Sequence, residues 1–346
     1  MSRWIENSLA DRLYMVNHVS EEKNIDPESV EKDWWVTMVL KTLFGLSVSK
    51  YAYFKGGTSL SKGWGLINRF SEDIDIALYR DFFLLEKGLG CARCENNNQI
   101  KLLRKASCDY VLGPLKEELE DALKVSGFDV TVEGVTMHRT AEGDKPIDHD
   151  ADPTVLLVQY PSIFASGHTY VKPLVKVEIS CLSMREPFEV KHISSLISES
   201  FNDEDNEAAC DIATISPART FLEKALLLNE EFQRKNPRTL RMSRHLYDLE
   251  RLMDTEYGRL ALGDVDLYKA IVEHRRKFYH VGGVDYSLDM PDKIAFCPQG
   301  DLMERFRADY ENMKSSFIYG NPIDFDILIK RIEELQDRFH LLATLQ

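Results

Sequence analysis

No stretch of the chain approaches the ~18 consecutive apolar residues that a membrane-spanning helix needs. The first residues, Met1 to Leu13, are interrupted by Arg3, Glu6, Asp11 and Arg12, so neither a membrane anchor nor a signal peptide is expected. Cationic excess is lacking too. Lys and Arg number 43 against 57 Asp and Glu, a formal net charge of −14, which excludes a uniformly basic nucleic-acid coat and leaves room only for a local basic patch. Cysteine is sparse, six scattered through 346 residues, so reduced thiols in the cytoplasm are expected rather than a disulfide framework. Cys91-Ala92-Arg93-Cys94 has the spacing of half a zinc site, but no second CxxC or HxxxH accompanies it, and a structural site wants four ligands. Gly-x-Ser-x-Gly, Walker-type motifs, internal repeats and low-complexity tracts are all missing.

What is present is an ordinary folding composition, 44% hydrophobic and 29% charged. At roughly 150 residues per domain the length suggests two domains. Apolar spacing predicts helices over 1–24, 27–44 and 99–126, the last closed by Gly127. Strands are predicted near 51–54, 73–78, 128–137, 154–160 and 170–180, with the Asp-rich stretch 139–153 as a loop. From Pro217 onward the pattern is mainly helical: 217–233, 240–254, 264–280, 300–317 and 324–343. The acidic, polar run Asn202 to Glu207 marks the change, and we expect domains of 1–205 and 206–346. The fold class is α/β (α+β): N-terminal helices, a mixed β-sheet domain and a C-terminal helical domain.

The chemistry is concentrated in Phe54-Lys55-Gly56-Gly57-Thr58-Ser59-Leu60-Ser61-Lys62 and Arg69-Phe70-Ser71-Glu72-Asp73-Ile74-Asp75-Ile76. A strand feeding a Gly-Gly turn into a helix N-terminus makes an anion site, because glycine lets the backbone approach closely and the amides and helix dipole favour phosphate. Thr58 or Ser59 can add a hydroxyl donor. Asp73 and Asp75, two apart on a strand, share a face and can grip one or two Mg²⁺ ions. That pairing suits in-line displacement at the α-phosphate of a nucleoside triphosphate, with two metals ~3.5 to 4 Å apart. Glu178, a lone acid in Val175-Lys176-Val177-Glu178-Ile179, is the candidate third carboxylate, to help activate the attacking hydroxyl and bind metal.

KGGTSLSK followed by RFSEDIDI resembles the AbiEii/AbiGii-type nucleotidyltransferase toxins, a family of the DNA polymerase beta-like nucleotidyltransferase superfamily. Phe221-Leu222-Glu223-Lys224-Ala225 is similar to the family's third motif, which carries an essential lysine onto Lys224. Arg244-His245-Leu246-Tyr247-Asp248-Leu249 is similar to its fourth, which carries an essential aspartate onto Asp248. The helix Glu31-Lys32-Asp33-Trp34-Trp35-Val36 also resembles family members. At the position after the motif-four arginine, where members often carry an acid, this chain has His245.

The resemblance implies a nucleotidyltransferase fold with its active site in a cleft between the two domains, two Mg²⁺ ions, and transfer of a nucleoside monophosphate from an NTP to an acceptor. It implies the tRNA 3′ end as that acceptor, in a toxin–antitoxin or abortive-infection (phage-defence) system with a cognate antitoxin encoded nearby. Asp73, Asp75, Glu178, Lys224 and Asp248 are then the catalytic set, with Lys224 a point charge for the triphosphate and Asp248 a group that orients that lysine or the acceptor. Lys55, Gly56, Gly57, Thr58, Ser59, Lys62, Arg69 and Ser71 form the nucleotide site. Arg234, Lys235, Arg238, Arg241 and Arg244 form an acid-free basic block suited to an RNA backbone. The alternatives are a protein or small-molecule acceptor, or a non-catalytic binding module. A cytoplasmic monomer is the default.

Overall fold

Asp26-Pro27 starts a helix because proline's fixed φ suits the first turn and its missing N–H has no partner to lose there. The computed structural model, which describes residues 3–140, 143–164 and 172–342, has α1 at Leu9–Lys23, with Ser8 capping it through the Asp11 amide, and α2 at Pro27–Leu43. The chain then enters β1 (Ala52–Lys55) and turns at Gly56 into the three-residue α3 (Gly56–Thr58), which widens to a π-helical turn over Ser59–Gly63. β2 follows at Ile74–Leu78. The helix expected over 99–126 is two, α4 (Asn97–Tyr110) and α5 (Lys116–Val125), separated by a π-helical turn at Val111–Leu115. Pro114 lies in that turn, where its missing N–H and its ring are incompatible with an unbroken α-helical ladder.

The strands after it are β3 (Thr131–Gly134), β4 (Met137–Thr140), β5 (Gly143–Pro146), β6 (Thr154–Gln159), β7 (Leu174–Ser180) and β8 (Phe188–Ser194), then α6 (Leu196–Ser200) and β9 (Ala209–Ile215). β4 and β5 pair as an exposed hairpin that begins at the last residue of the strand expected over 128–137 and runs into the segment expected to be loop; its polar residues gave no alternation to read. β8 and β9 were not anticipated, and the first residues of the strand expected over 170–180 lie outside the described residues. Seven strands form one mixed sheet in the order β3-β6-β7-β2-β1-β9-β8. β1 and β2 are antiparallel, while β2 runs parallel to β7 across a hundred residues of sequence. α2 packs on β7 with Trp34 and Trp35 fully buried. Trp35 stacks on Tyr160 at 4.9 Å, and the Trp34 indole donates to Asp205 at 2.8 Å. Both tryptophans are core.

The chain divides into two compact units, residues 1–63 with 71–214, and residues 64–70 with 215–346. The expected boundary at 205/206 falls before β9, and the departure of 64–70 from the first unit has no counterpart in the sequence reading. The second unit holds α7 (Pro217–Phe232), α8 (Ser243–Met253), α9 (Glu256–Gly263), α10 (Val265–Phe278), α11 (Asp301–Ser316) and α12 (Phe325–Leu342). Its core is built on Phe221, Leu246, Leu249, Leu252, Leu335 and Phe339, with Phe221 stacked on Phe339 at 5.9 Å. Among the described residues no helix is long and apolar enough to cross a membrane.

Candidate active site

In the first unit, strand register assembles the charged residues. Lys55 of β1 lies opposite Asp75 of β2, and Asp75 lies beside Glu178 of β7, so three adjacent strands present one row, Lys55, Asp75, Glu178. Asp73 and Lys176, each two residues back along its chain, fall on the same face one pleat away. Gly56 closes the row from above. Its φ is +80°, and a Cβ built on it would sit 2.1 Å from Asp75 Oδ2, so this position needs glycine both for backbone conformation and for the close approach of the carboxylate. The Gly-Gly turn and the metal-candidate aspartate are therefore in direct contact.

Asp75 and Glu178 are cross-strand neighbours on one face, and the Lys176 ammonium is bonded to Glu178. Burial pushes the Glu178 carboxyl up, but Lys176, Asp75 and Lys55 together outweigh it and hold it below the ordinary range. Carboxylates this close must share a proton or hold a cation, and their hard oxygens are the donor type that Mg²⁺ takes. The residues thus fit a divalent ion. Among the described residues no three His, Cys, Asp or Glu side chains converge on one point as they stand; Asp75 and Glu178 are neighbours in register, and Asp73 lies one pleat away on the same face.

The hydroxyls of the glycine turn have internal tasks. Thr58 is fully buried, donates to the Asp73 carbonyl and shares a hydrogen bond with the Ser71 hydroxyl, while Ser59 donates to the Gly56 carbonyl. Thr58 and Ser71, expected at phosphate, thereby tie the turn to the start of β2. Lys62, also expected at phosphate, is paired with Asp33 of α2 at 2.5 Å, and Asp33 also accepts the Leu196 amide. Next to it Lys32 reaches Glu72 at 2.7 Å, and Glu31 accepts Ser162 Oγ and the Ile163 amide. Glu31, Lys32 and Asp33 are each less than a tenth exposed. They were missed as a brace; the available signal was three consecutive charges leading directly into the apolar run Trp34-Trp35-Val36.

In the second unit, Asp248 is fully buried and receives the Arg69 guanidinium through two bonds, 2.7 and 2.8 Å, and Lys224 Nζ at 2.8 Å. Burial raises the Asp248 carboxyl, but Arg69 and Lys224 outweigh it and hold it far below the usual carboxylate range. Burial depresses Lys224 even with Asp248 beside it, and burial plus Lys224 keeps the His245 ring neutral well below its usual range. Arg69, expected among the nucleotide ligands, is instead committed to Asp248, because residues 64–70 belong to this unit. Asp248 orients two cations and is closed to solvent.

The basic block is partly engaged. Arg234 and Arg238 both pair with the buried Glu231, and Arg241 lies over the Phe317 ring at 5.7 Å. Lys235, Arg238 and Arg241 are exposed, while Arg244 is half-buried.

The family model for the nucleotidyl transferase AbiEii toxin of type IV toxin–antitoxin systems matches residues 41–334. Among solved structures the chain is similar to MenT4, a nucleotidyltransferase toxin from Mycobacterium tuberculosis H37Rv, at a TM-score of 0.50 and 16% identity, over 96% of this chain and 90% of that one. At that identity the likeness shows the fold. No curated protein matches. With most of its length covered by the family model, and with the glycine turn, paired carboxylates and buried Lys224–Asp248 pair in place, the chain belongs to the AbiEii nucleotidyltransferase toxin family of type IV toxin–antitoxin systems.

Proposed function

We propose that this nucleotidyltransferase uses Mg²⁺ to transfer a nucleoside monophosphate from an NTP to the 3′ end of a tRNA, arresting growth until its antitoxin restrains it. The observation that carries the reading is the in-register row of Lys55, Asp75 and Glu178 with Gly56 against the Asp75 carboxylate. Asp75 and Glu178 would hold the metal, with Asp73 joining from the same chain segment. When bound, the metal supplies positive charge that acidifies the attacking hydroxyl and neutralises the departing pyrophosphate.

The protein's own groups do the rest. Amides of the Gly56-Gly57 turn bind phosphate oxygens, and Lys55 adds charge beside them. Glu178, kept ionised, helps take the proton as the acceptor oxygen bonds to the α-phosphorus and the bond to the β-phosphate oxygen breaks. Lys224 serves as a triphosphate cation and Asp248 as the group that orients it. Exposed Lys235, Arg238 and Arg241, flanked by Arg234 and Arg244, would follow the RNA backbone. A cytoplasmic monomer with an antitoxin encoded nearby completes the proposal.

The test is incubation with Mg²⁺, total bacterial tRNA and each α-³²P-labelled NTP in turn, beside Asp75→Ala. Label on tRNA that vanishes in the variant supports the proposal. Label on protein alone moves the acceptor to a protein hydroxyl, and undiminished transfer by Asp75→Ala removes the metal assignment.

A further inference from the structure

The carboxylate row contains a cation of its own. Lys176 stands two residues before Glu178 on β7, bonded to it, and strand register places it beside the Asp73 position. The same register puts it on the sheet face that carries Asp73 and Asp75, so its ammonium stands among three carboxylates while bonded to one. We propose that Lys176 is a resident counter-ion of the metal site, holding the carboxylates together while no metal is bound and leaving them when a divalent ion enters. The inference rests on the reading of Asp75 and Glu178 as metal ligands and adds a means of regulating their occupancy.

The physical reason is charge balance. Three carboxylates on one sheet face repel one another, and two lysines, Lys55 and Lys176, offset most of that charge. A divalent ion on the same oxygens would lie within a few ångströms of the ammonium, where two like charges cannot both stay. Lys55 belongs to the strand that feeds the glycine turn. Lys176 is the free-moving one, because its side chain is 36% exposed and its four-carbon stem can swing the charge into water. Metal binding therefore competes with an ion pair inside the protein, which lowers metal affinity and keeps the empty site ordered. Neither effect requires nucleotide.

The experiment measures Mn²⁺ binding to the full chain by the electron spin resonance of the free ion, without nucleotide, in wild type, Lys176→Met, Lys176→Gln and Lys176→Arg, with Asp75→Asn as the site control. Partly exposed ion pairs contribute modestly, so loss of the charge is expected to tighten Mn²⁺ binding about three- to tenfold. Lys176→Met and Lys176→Gln should also unfold at lower temperature without metal and gain more from its addition, whereas Lys176→Arg should behave as wild type. Equal or weaker binding by the uncharged variants overturns the counter-ion role; if Asp75→Asn still abolishes binding, the metal reading stands without it. No binding by wild type or by any Lys176 variant overturns both.

Discussion

Gly56 allows the contact between turn and carboxylate to be tested separately from backbone strain. Gly56→Ala places a methyl where the nearest atom, Asp75 Oδ2, is 2.1 Å away and Asp75 Cγ is 2.9 Å away. Restoring even a tight 3.0 Å contact needs the carboxylate to retreat by about 1 Å, and misplacement on that scale costs roughly 10²-fold in rate. The left-handed φ of +80° adds about 1–2 kcal/mol of strain. Gly65→Ala is the matched control: its φ is +63°, yet nothing lies within 4 Å of its added Cβ. Both variants should lose a similar 1–2 kcal/mol in urea denaturation, while transfer of labelled nucleotide falls about 10²-fold in Gly56→Ala alone. Equal activity in the two variants would refute the claim that Asp75's position against the turn matters for transfer.

Three further outcomes follow from buried charge. Asp248→Asn leaves Arg69 and Lys224 buried without their carboxylate and should cost about 3–5 kcal/mol in denaturant; a loss below 1 kcal/mol would show that water reaches the pair. Asp289 is pushed up to about 7 by burial and by the Glu230 carboxylate. Because its folded pKa lies above its unfolded one, wild-type stability should fall as pH rises from about 4 to 7 and level off beyond. Asp289→Asn should flatten that dependence and, at pH 8, stabilise by at most about 4 kcal/mol, which denaturation at pH 5 and pH 8 measures. Asp33→Asn and Lys62→Met should couple by about 1–3 kcal/mol in a double-mutant cycle, with Asp33→Asn the costlier alone because Asp33 also holds the Leu196 amide. Additive losses would make that pair incidental.

The local elements of the candidate site were legible where local rules suffice. A Gly-Gly turn between strand and helix, and two acids two apart on a strand, identify themselves by spacing, and Glu178 stood out as one of the few charges in an apolar strand. Its parallel register with Asp75 was not legible, because β2 and β7 are joined by a hundred residues whose route no local pattern dictates. The same holds for Lys176, whose meaning depends on which carboxylates the register brings to it. The internal partners of Thr58, Ser71, Lys62 and Arg69 were not legible either: their side chains suit phosphate and suit internal partners equally, and tertiary placement supplies the partners.

That placement explains why the two halves of the central motif are separated by a stretch with no chemistry of its own. Lys62 at the end of the glycine helix is held by Asp33, and Glu72 at the start of the aspartate segment is held by Lys32, adjacent residues of one helix whose rigidity fixes the distance between their partners. Between these anchors residues 64–70 leave the first unit, and Arg69 is bound in the second by the fully buried Asp248. Within the first unit the ends of that segment are held by Asp33 and Lys32, and the carbonyl of Asp73 is held by Thr58, so β2 starts against the glycine turn. The helix with three buried charges is thus tied to both ends of the candidate motif through ion pairs. Its sequence looks like core because most of it is core, and its bracing part is the place where the core is charged.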